Sequence, residues 1–285
     1  MDFIAISILW ALIILALIII RVYQIKYKKY VKHTRVSKDF SGVDITQLQR
    51  NYKILDKMLN NIKDRNDKNY DEEIKDKLTL VGYDKISINE NDNSVMLQKE
   101  GMSIDLGGIA KGFAADEVLK IYKKYNIENG LINLGASSIY AVGKNKDNND
   151  WSVGIKHPRS ENPNEYMGII KLSNSSLSTS GDYERCFIKD NRRYHHIIDP
   201  KTGYPVDNGV MSDTIVIDGE NSDSGMLSDL LTTTVFTLGA EKGVKLIDSL
   251  QGVSCEITTS DYKVYTSVGF KDRIIDLNKE FQFIN

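Results

Sequence analysis

The sequence predicts an α+β fold, and three observations carry that prediction. Apolar residues recur at helical spacing in some windows and cluster in short strand-like runs in others. The two kinds of segment are mixed without the strict alternation that a parallel α/β sheet requires. The 285 residues, 41% hydrophobic and 27% charged, are enough to bury a core as one large domain or two small ones. There is no internal repeat and no low-complexity tract. A net charge of −2 gives no general attraction for nucleic acid. Cys186 and Cys255 form neither a CxxC pair nor a metal-binding spacing. They read as two unrelated thiols, with a single disulfide between them left open.

The chain opens on an apolar run, Phe3 to Ile20, broken only by Ser7. At 1.5 Å per residue this run spans about 27 Å, close to the thickness of a bilayer's hydrocarbon core. It lacks the basic start and small-residue cleavage site of a signal peptide. Residues 1–21 therefore read as an uncleaved transmembrane anchor. Residues 22–40 form a basic tether, with Lys26, Lys28, Lys29, Lys32 and Arg35, able to touch anionic lipid. The positive-inside tendency would keep that flank, and the domain behind it, in the cytoplasm. Residues 41–285 are read as one domain.

Leu48, Tyr52, Leu55, Leu59 and Ile62 predict a helix within residues 47–78. Tyr83 to Ile88 and Ser94 to Gln98 flank the turn-rich NENDN as a hairpin. A strand ending at Asp105 is followed by an amphipathic helix over 109–125, with Ile109, Phe113, Val118 and Tyr122 toward the core. Strands are predicted at Leu131 to Val142, Trp151 to Ile155, Met167 to Leu172 and Thr214 to Ile217. Leu227 to Leu238 and Glu241 to Leu250 read as helices parted by Gly239. Ser254 to Ile257 and Lys263 to Ser267 close the chain as a hairpin.

Four segments carry candidate chemistry. In IDLGGIAKGFAADE, residues 104–117, two glycines precede a helix N-terminus, where unpaired N–H groups suit phosphate and Lys111 adds a charge. A glycine-tightened turn is the plainer account of the same residues. In INLGASS, residues 132–138, Gly135 within a strand marks a close backbone approach or plain packing. In residues 178–205, a rigid Ser180-Gly181-Asp182 turn leads to Tyr183, Tyr194, His195, His196 and Asp199. His196 is better suited to general-base work than to metal ligation, and a structural role for either histidine stays open. On the helix of DLLTTTVFTLG, residues 229–239, Asp229 and Thr233 share a face. A carboxylate and a hydroxyl are hard oxygen donors suited to Mg²⁺, although Asp229 would also complement the helix dipole.

In this order, these segments, the STSGDYER and YHHIIDPKTGYP stretches, and the late YKVYTSVGF resemble the FAD:protein FMN transferase family, also called ApbE. The resemblance runs from about residue 78 to 269. It implies a single T-fold-related flavin transferase domain. The implied reaction uses Mg²⁺, splits FAD, attaches FMN to a threonine hydroxyl of an acceptor flavoprotein in an electron-transfer system, and releases AMP. By motif, it implies Asp229, Thr233 and the main-chain carbonyl of Gly108 as metal ligands, and His196 as the base. It implies Asp105, Lys111 and Val206 as flavin-nucleotide contacts, with Asp182 and Tyr183 shaping the same pocket. Residues 42–46, GVDIT, resemble a further family motif, so Val43 and Asp44 are implied FAD contacts. Asp229, read as a surface ligand, is expected to be removable at little cost in stability.

Two departures accompany the match. Ala136-Ser137-Ser138 stands where the family has Gly and a polar residue. The family segment before GVDIT is shortened here, which would leave part of the flavin cleft open. An Mg²⁺-dependent FAD pyrophosphatase and a degenerate, non-catalytic flavin-binding paralogue are the alternative readings. The family's usual placement outside the cytoplasmic membrane implies an extracytoplasmic catalytic domain, against the charge of the basic flank.

Overall fold

The computed structural model describes residues 70–89, 91–92, 94–219 and 223–284. The apolar run, the basic tether, Val43, Asp44 and most of the first predicted helix lie outside the described residues. Among those described, no helix is long and apolar enough to cross a membrane. The chain divides into two compact units, Met1–Leu106 with Asp199–Tyr204, and Gly107–Ile198 with Pro205–Asn285.

In the first unit, α1 spans Tyr70–Leu78, and the residues Leu48 to Ile62 that carry the helix prediction lie outside the described residues. β1 (Ile86–Asn89) and β2 (Ser94–Leu97) form the expected antiparallel hairpin. Its first strand begins later than predicted, because Tyr83–Lys85 is a 3₁₀ turn. No strand ends at Asp105: residues 102–106 have no regular structure. The Asp199–Tyr204 segment is a tight turn. Asp199 N–H donates to Tyr204 O at 2.9 Å, Gly203 N–H to Asp199 O at 2.8 Å, and Lys201 N–H to Asp199 Oδ1 at 2.9 Å. That last bond is an Asx turn, which gives this aspartate a structural task.

The second unit is built on a seven-stranded sheet. Its members are β3 (Gly130–Leu134), β4 (Ser138–Val142), β7 (Ser175–Gly181), β10 (Val210–Asp218), β11 (Val253–Thr259), β12 (Lys263–Thr266) and β14 (Gln282–Ile284). Their order is β14-β12-β11-β10-β7-β4-β3, antiparallel except for the β12–β14 pair. β5 (Trp151–Lys156) and β6 (Tyr166–Leu172), with the short β13 (Ile274–Ile275), make a separate three-stranded sheet. β8 (Cys186–Lys189) and β9 (Arg192–His195) form a ribbon of their own. The helices are α2 (Ala110–Lys124), α3 (Ser224–Leu238) and α4 (Ala240–Asp248).

Strand alternation sends neighbouring residues to two cores. Ile139, Ala141 and Val216 join Val153, Met167 and Ile170 in the core that includes the small sheet. Tyr140 and Val142 face the opposite way, with Ala115 and Leu119 of α2. Ile215 and Ile217 pack with Leu231, Val235 and Phe236 of α3. Because both faces of the central strands are covered, β4 is buried along its whole length. The helix α3 is buried on nearly every side, which is why its sequence is apolar and small all round rather than amphipathic.

Two sequence readings change. Residues 131–142 are not one strand but the β3–β4 hairpin, turned at Gly135 and Ala136, with φ of 65° and 59°. Asn133 Oδ1 accepts the Ala136 N–H at 2.9 Å and braces that turn. Ser180 and Gly181 end a central strand rather than forming a rigid turn. β7 reads SSLSTSG, and low strand propensity hid it. Its serines serve the helix above: Ser176 Oγ donates to Ser224 O at 2.8 Å, and Ser178 Oγ meets Ser228 Oγ at 2.8 Å.

The same sheet buries the carboxyls of Asp213 and Glu256. Burial raises Asp213 well above the usual range and pushes Glu256 up to about 7. A carboxyl that holds its proton more tightly when folded stabilises the fold at low pH and loses that contribution as pH rises through its folded value. The protein is therefore expected to melt at a lower temperature near pH 8 than near pH 5. The opposite trend in thermal unfolding would contradict neutral burial of these groups.

Candidate active site

The metal and phosphate candidates meet where α2 begins beside the middle of α3. Asp229 Oδ2 accepts the Gly112 N–H at 2.9 Å. A Cβ built on Gly108 would stand 3.3 Å from Thr233 Oγ1, so the glycine corner lies directly against that hydroxyl. Thr232, Thr234 and Thr237 donate back to Asp229 O, Leu230 O and Thr233 O, at 2.8, 3.0 and 2.8 Å. Lys111 Nζ bonds Ser137 Oγ and its charge acts on Asp229. The structure thus brings Gly108, Lys111, Asp229 and Thr233 together. Asp229 is not a surface ligand: it is 6% exposed. Burial raises its carboxyl above the ordinary value, opposed by the Gly112 N–H and by Lys111.

The donor set fits a hard divalent cation. It combines a carboxylate and an alcohol with a glycine corner that puts no side chain between itself and the alcohol. Ser138, buried beside the same carboxylate, also opposes the rise of Asp229 through its hydroxyl.

The closeness of the two helices depends on two glycines. A Cβ on Gly112 would fall 2.0 Å from Gly225 O, and one on Gly225 would fall 2.6 Å from Gly112 O. No side chain fits at that crossing. Helical windows did not single these glycines out, although a Gly in a helix interior is itself a sign of close packing.

A second group surrounds the β7–β8 corner. Asp182 does not face a ligand with a free carboxylate. Arg159 grips it through two bonds of 2.6 Å, and Arg193 lies 3.8 Å away. Asp182 therefore anchors the corner, and its partner Arg159, 23 residues away, had no sequence signal. The ring of Tyr183 lies over Gly181, where a Cβ would meet it at 2.4 Å, and under Lys156 Nζ at 4.8 Å. Burial raises the Tyr183 phenol, keeping it protonated.

The adjacent histidines have different tasks. His195 Nε2 bonds Val206 O at 2.9 Å, its Nδ1 takes the Ile197 N–H at 3.3 Å, and its ring packs on Phe236. Both nitrogens are engaged, so His195 is structural. His196 Nδ1 lies 3.1 Å from Glu184 O. A carbonyl only accepts, so Nδ1 carries the hydrogen and Nε2 keeps its lone pair. Burial also lowers the His196 pKa, favouring the neutral ring. Val206 is 8% exposed, it packs in the α3 core, and its N–H and C=O are taken by Ile197 O and His195. It is a core residue of this corner. Asp105 belongs to the first unit and is exposed.

One further group has metal-like composition: His157, Glu165 and Glu280. His157 Nδ1 accepts the Arg159 N–H at 3.1 Å, so Nε2 bears the hydrogen, which points to Glu280 at 3.4 Å. A ring held in that tautomer is a hydrogen-bond donor rather than a ligand.

The ApbE family model matches residues 43–257 of the chain. A Klebsiella pneumoniae protein named FAD:protein FMN transferase is 33% identical over 213 residues, covering 75% of this chain and 63% of that protein. One of the same name from Treponema pallidum is 34% identical, covering 66% of this chain and 52% of its own length. The chain thus spans less than two thirds of these relatives. Among solved structures, the ApbE protein of Thermotoga maritima aligns with a TM-score of 0.64 at 27% identity, over 87% of this chain and 83% of that one. The flavin transferase ApbE from Vibrio cholerae aligns with a TM-score of 0.61 at 29% identity, over 71% and 62%. The α+β fold is that of these structures, and the chain belongs to the ApbE family.

Proposed function

We propose that this chain is an Mg²⁺-dependent FAD:protein FMN transferase. It joins FMN to a threonine hydroxyl of an acceptor flavoprotein and releases AMP. The observation that carries this reading is the placement of Asp229 and Thr233, one turn apart on α3, against the Gly108–Gly112 corner. The relatives' name supplies the flavin chemistry.

Asp229, Thr233 and the Gly108 carbonyl would hold the ion. When bound, Mg²⁺ neutralises charge developing on the diphosphate. Lys111 adds a positive charge beside the helix N-terminus, where N–H groups favour phosphate. His196 Nε2 accepts the proton of the acceptor hydroxyl as its oxygen bonds to the FMN phosphorus. The bond from that phosphorus to the bridging oxygen breaks, and AMP departs with the electron pair. The test is incubation with FAD, Mg²⁺ and an acceptor flavoprotein, followed by mass spectrometry of the acceptor. An unmodified acceptor removes the proposal, and equally fast release of FMN and AMP without acceptor replaces it with pyrophosphatase activity.

His196→Gln is expected to slow transfer by about 10² to 10⁴, the range typical of a positioned base. Because burial lowers the His196 pKa, the wild-type acid limb should lie below the ordinary histidine value of 6.5. A His196→Gln enzyme of full activity would end its role as base.

The apolar run supports a membrane anchor at residues 1–21, with the catalytic domain on the extracytoplasmic face. Protease added to intact cells is expected to digest the domain. Protection until lysis would place it in the cytoplasm.

A further inference from the structure

The motif GIAKGFAAD ends in a carboxylate that the reaction above does not use. Asp116 lies on the second turn of α2 and is 1% exposed. Its Oδ1 accepts the Gly225 N–H and its Oδ2 the Met226 N–H, each at 2.8 Å. These are first-turn N–H groups of α3, which have no partner within their own helix. The N-cap residue of α3, Asp223, makes no side-chain cap bond. The cap comes instead from another helix, 109 residues earlier.

This bond has a counterpart. One turn before Asp116, Gly112 donates its N–H to Asp229, one turn after Gly225. Each helix therefore offers a carboxylate to the other's backbone, on either side of the Gly112–Gly225 crossing. Two such bonds, separated by a close contact, fix both the slide and the rotation of α3 against α2. Burial pushes the Asp116 carboxyl up to about 7 despite its two N–H donors. An acid kept in so dry a place is poorly explained by capping alone, which an exposed Ser or Asn performs as well.

We propose that Asp116 is a positioning residue for the metal site. By gripping the N-terminus of α3, it sets the register that puts Asp229 against Gly112 and Thr233 against Gly108. This inference rests on the metal reading of that site.

The test compares wild type, Asp116→Asn and Ile155→Val, a core change in β5 chosen for a modest loss of stability. Two quantities are measured: metal-free hydrogen exchange of the Gly112 amide, and Mg²⁺ affinity by calorimetry. Asn keeps one acceptor and turns an N–H₂ toward the other donor, so the two-pronged grip is lost. Asp116→Asn is expected to speed Gly112 exchange and weaken Mg²⁺ binding, each by about tenfold or more, as befits a charge-assisted bond. Ile155→Val should leave both at wild-type values once its stability loss is allowed for. Should the Asn variant fail to fold, Asp116→Ser, which keeps a single oxygen acceptor, takes its place. An Asp116 variant that moves neither quantity beyond the Ile155→Val control overturns the inference. If wild type itself binds no Mg²⁺, the metal reading falls, and Gly112 exchange alone then decides whether Asp116 sets the register.

Discussion

Asp229→Asn is expected to lose at least about a hundredfold in Mg²⁺-dependent transfer, because a bound cation's charge stabilisation is worth several kcal/mol and each 1.36 kcal/mol is tenfold in rate. Asn keeps an oxygen for the Gly112 N–H, so the bond seen at 2.9 Å survives. What it removes is the negative charge. The fold should therefore persist, and in the metal-free state it should be no less stable, since burial disfavours the Asp229 carboxylate. Asp229→Ala is a less clean experiment: it leaves the Gly112 amide buried without an acceptor, at about 1–3 kcal/mol. The sequence-level expectation of a harmless surface truncation fails for that reason. Activity and calorimetric Mg²⁺ affinity measured together settle the point. A fully active Asp229→Asn enzyme with wild-type metal affinity would remove Asp229 from the ligand set.

Gly112→Ala should destabilise the protein by about 3 kcal/mol or more, at the upper end for overpacked sites. The sign makes this a sharp test. In an ordinary helix interior the same change stabilises by roughly 0.5–1 kcal/mol, because glycine loses more backbone freedom on folding. Here the added carbon would meet Gly225 O at 2.0 Å, Gly225 C at 2.5 Å and Asp229 Cβ at 2.8 Å. Two of those atoms are main chain and cannot rotate away. Relief requires α2 and α3 to separate, which breaks the Gly112–Asp229 bond and spreads the metal ligands. Thermal unfolding should show a lower midpoint, together with weaker Mg²⁺ binding. An unchanged or higher midpoint would mean that the helices do not cross as closely as described.

Much of the fold was legible because it depends on short-range pattern. The 3.6-residue period of Ile109, Phe113 and Val118 announced α2, and Gly239 announced the break between α3 and α4. The run of β10 and the β11–β12 hairpin followed from β-branched residues and turn chemistry. The metal candidates were legible for the same reason: Asp229 and Thr233 are four residues apart, and a helix places such residues on one face. β7 was not legible, since its serines are chosen by the helix above them and not by strand propensity. Nor was the β3–β4 turn, whose Gly135 and Ala136 carry positive φ within a stretch that reads as continuous strand.

The sequence by itself determined the helices α2 to α4, the family likeness and the residue types able to hold Mg²⁺, because each depends on neighbours within about one turn or one short motif. Only the tertiary structure decided which groups were already occupied. It gave Asp182 to Arg159, His195 to Val206 and Asp116 to the start of α3, and it left His196 Nε2 with a lone pair. It also set Asp229 against Gly112, 117 residues earlier. The physical reason is range. A hydrogen bond between distant segments depends on how two helices pack, and that packing turns on two missing side chains, at Gly112 and Gly225, whose importance no local pattern expresses.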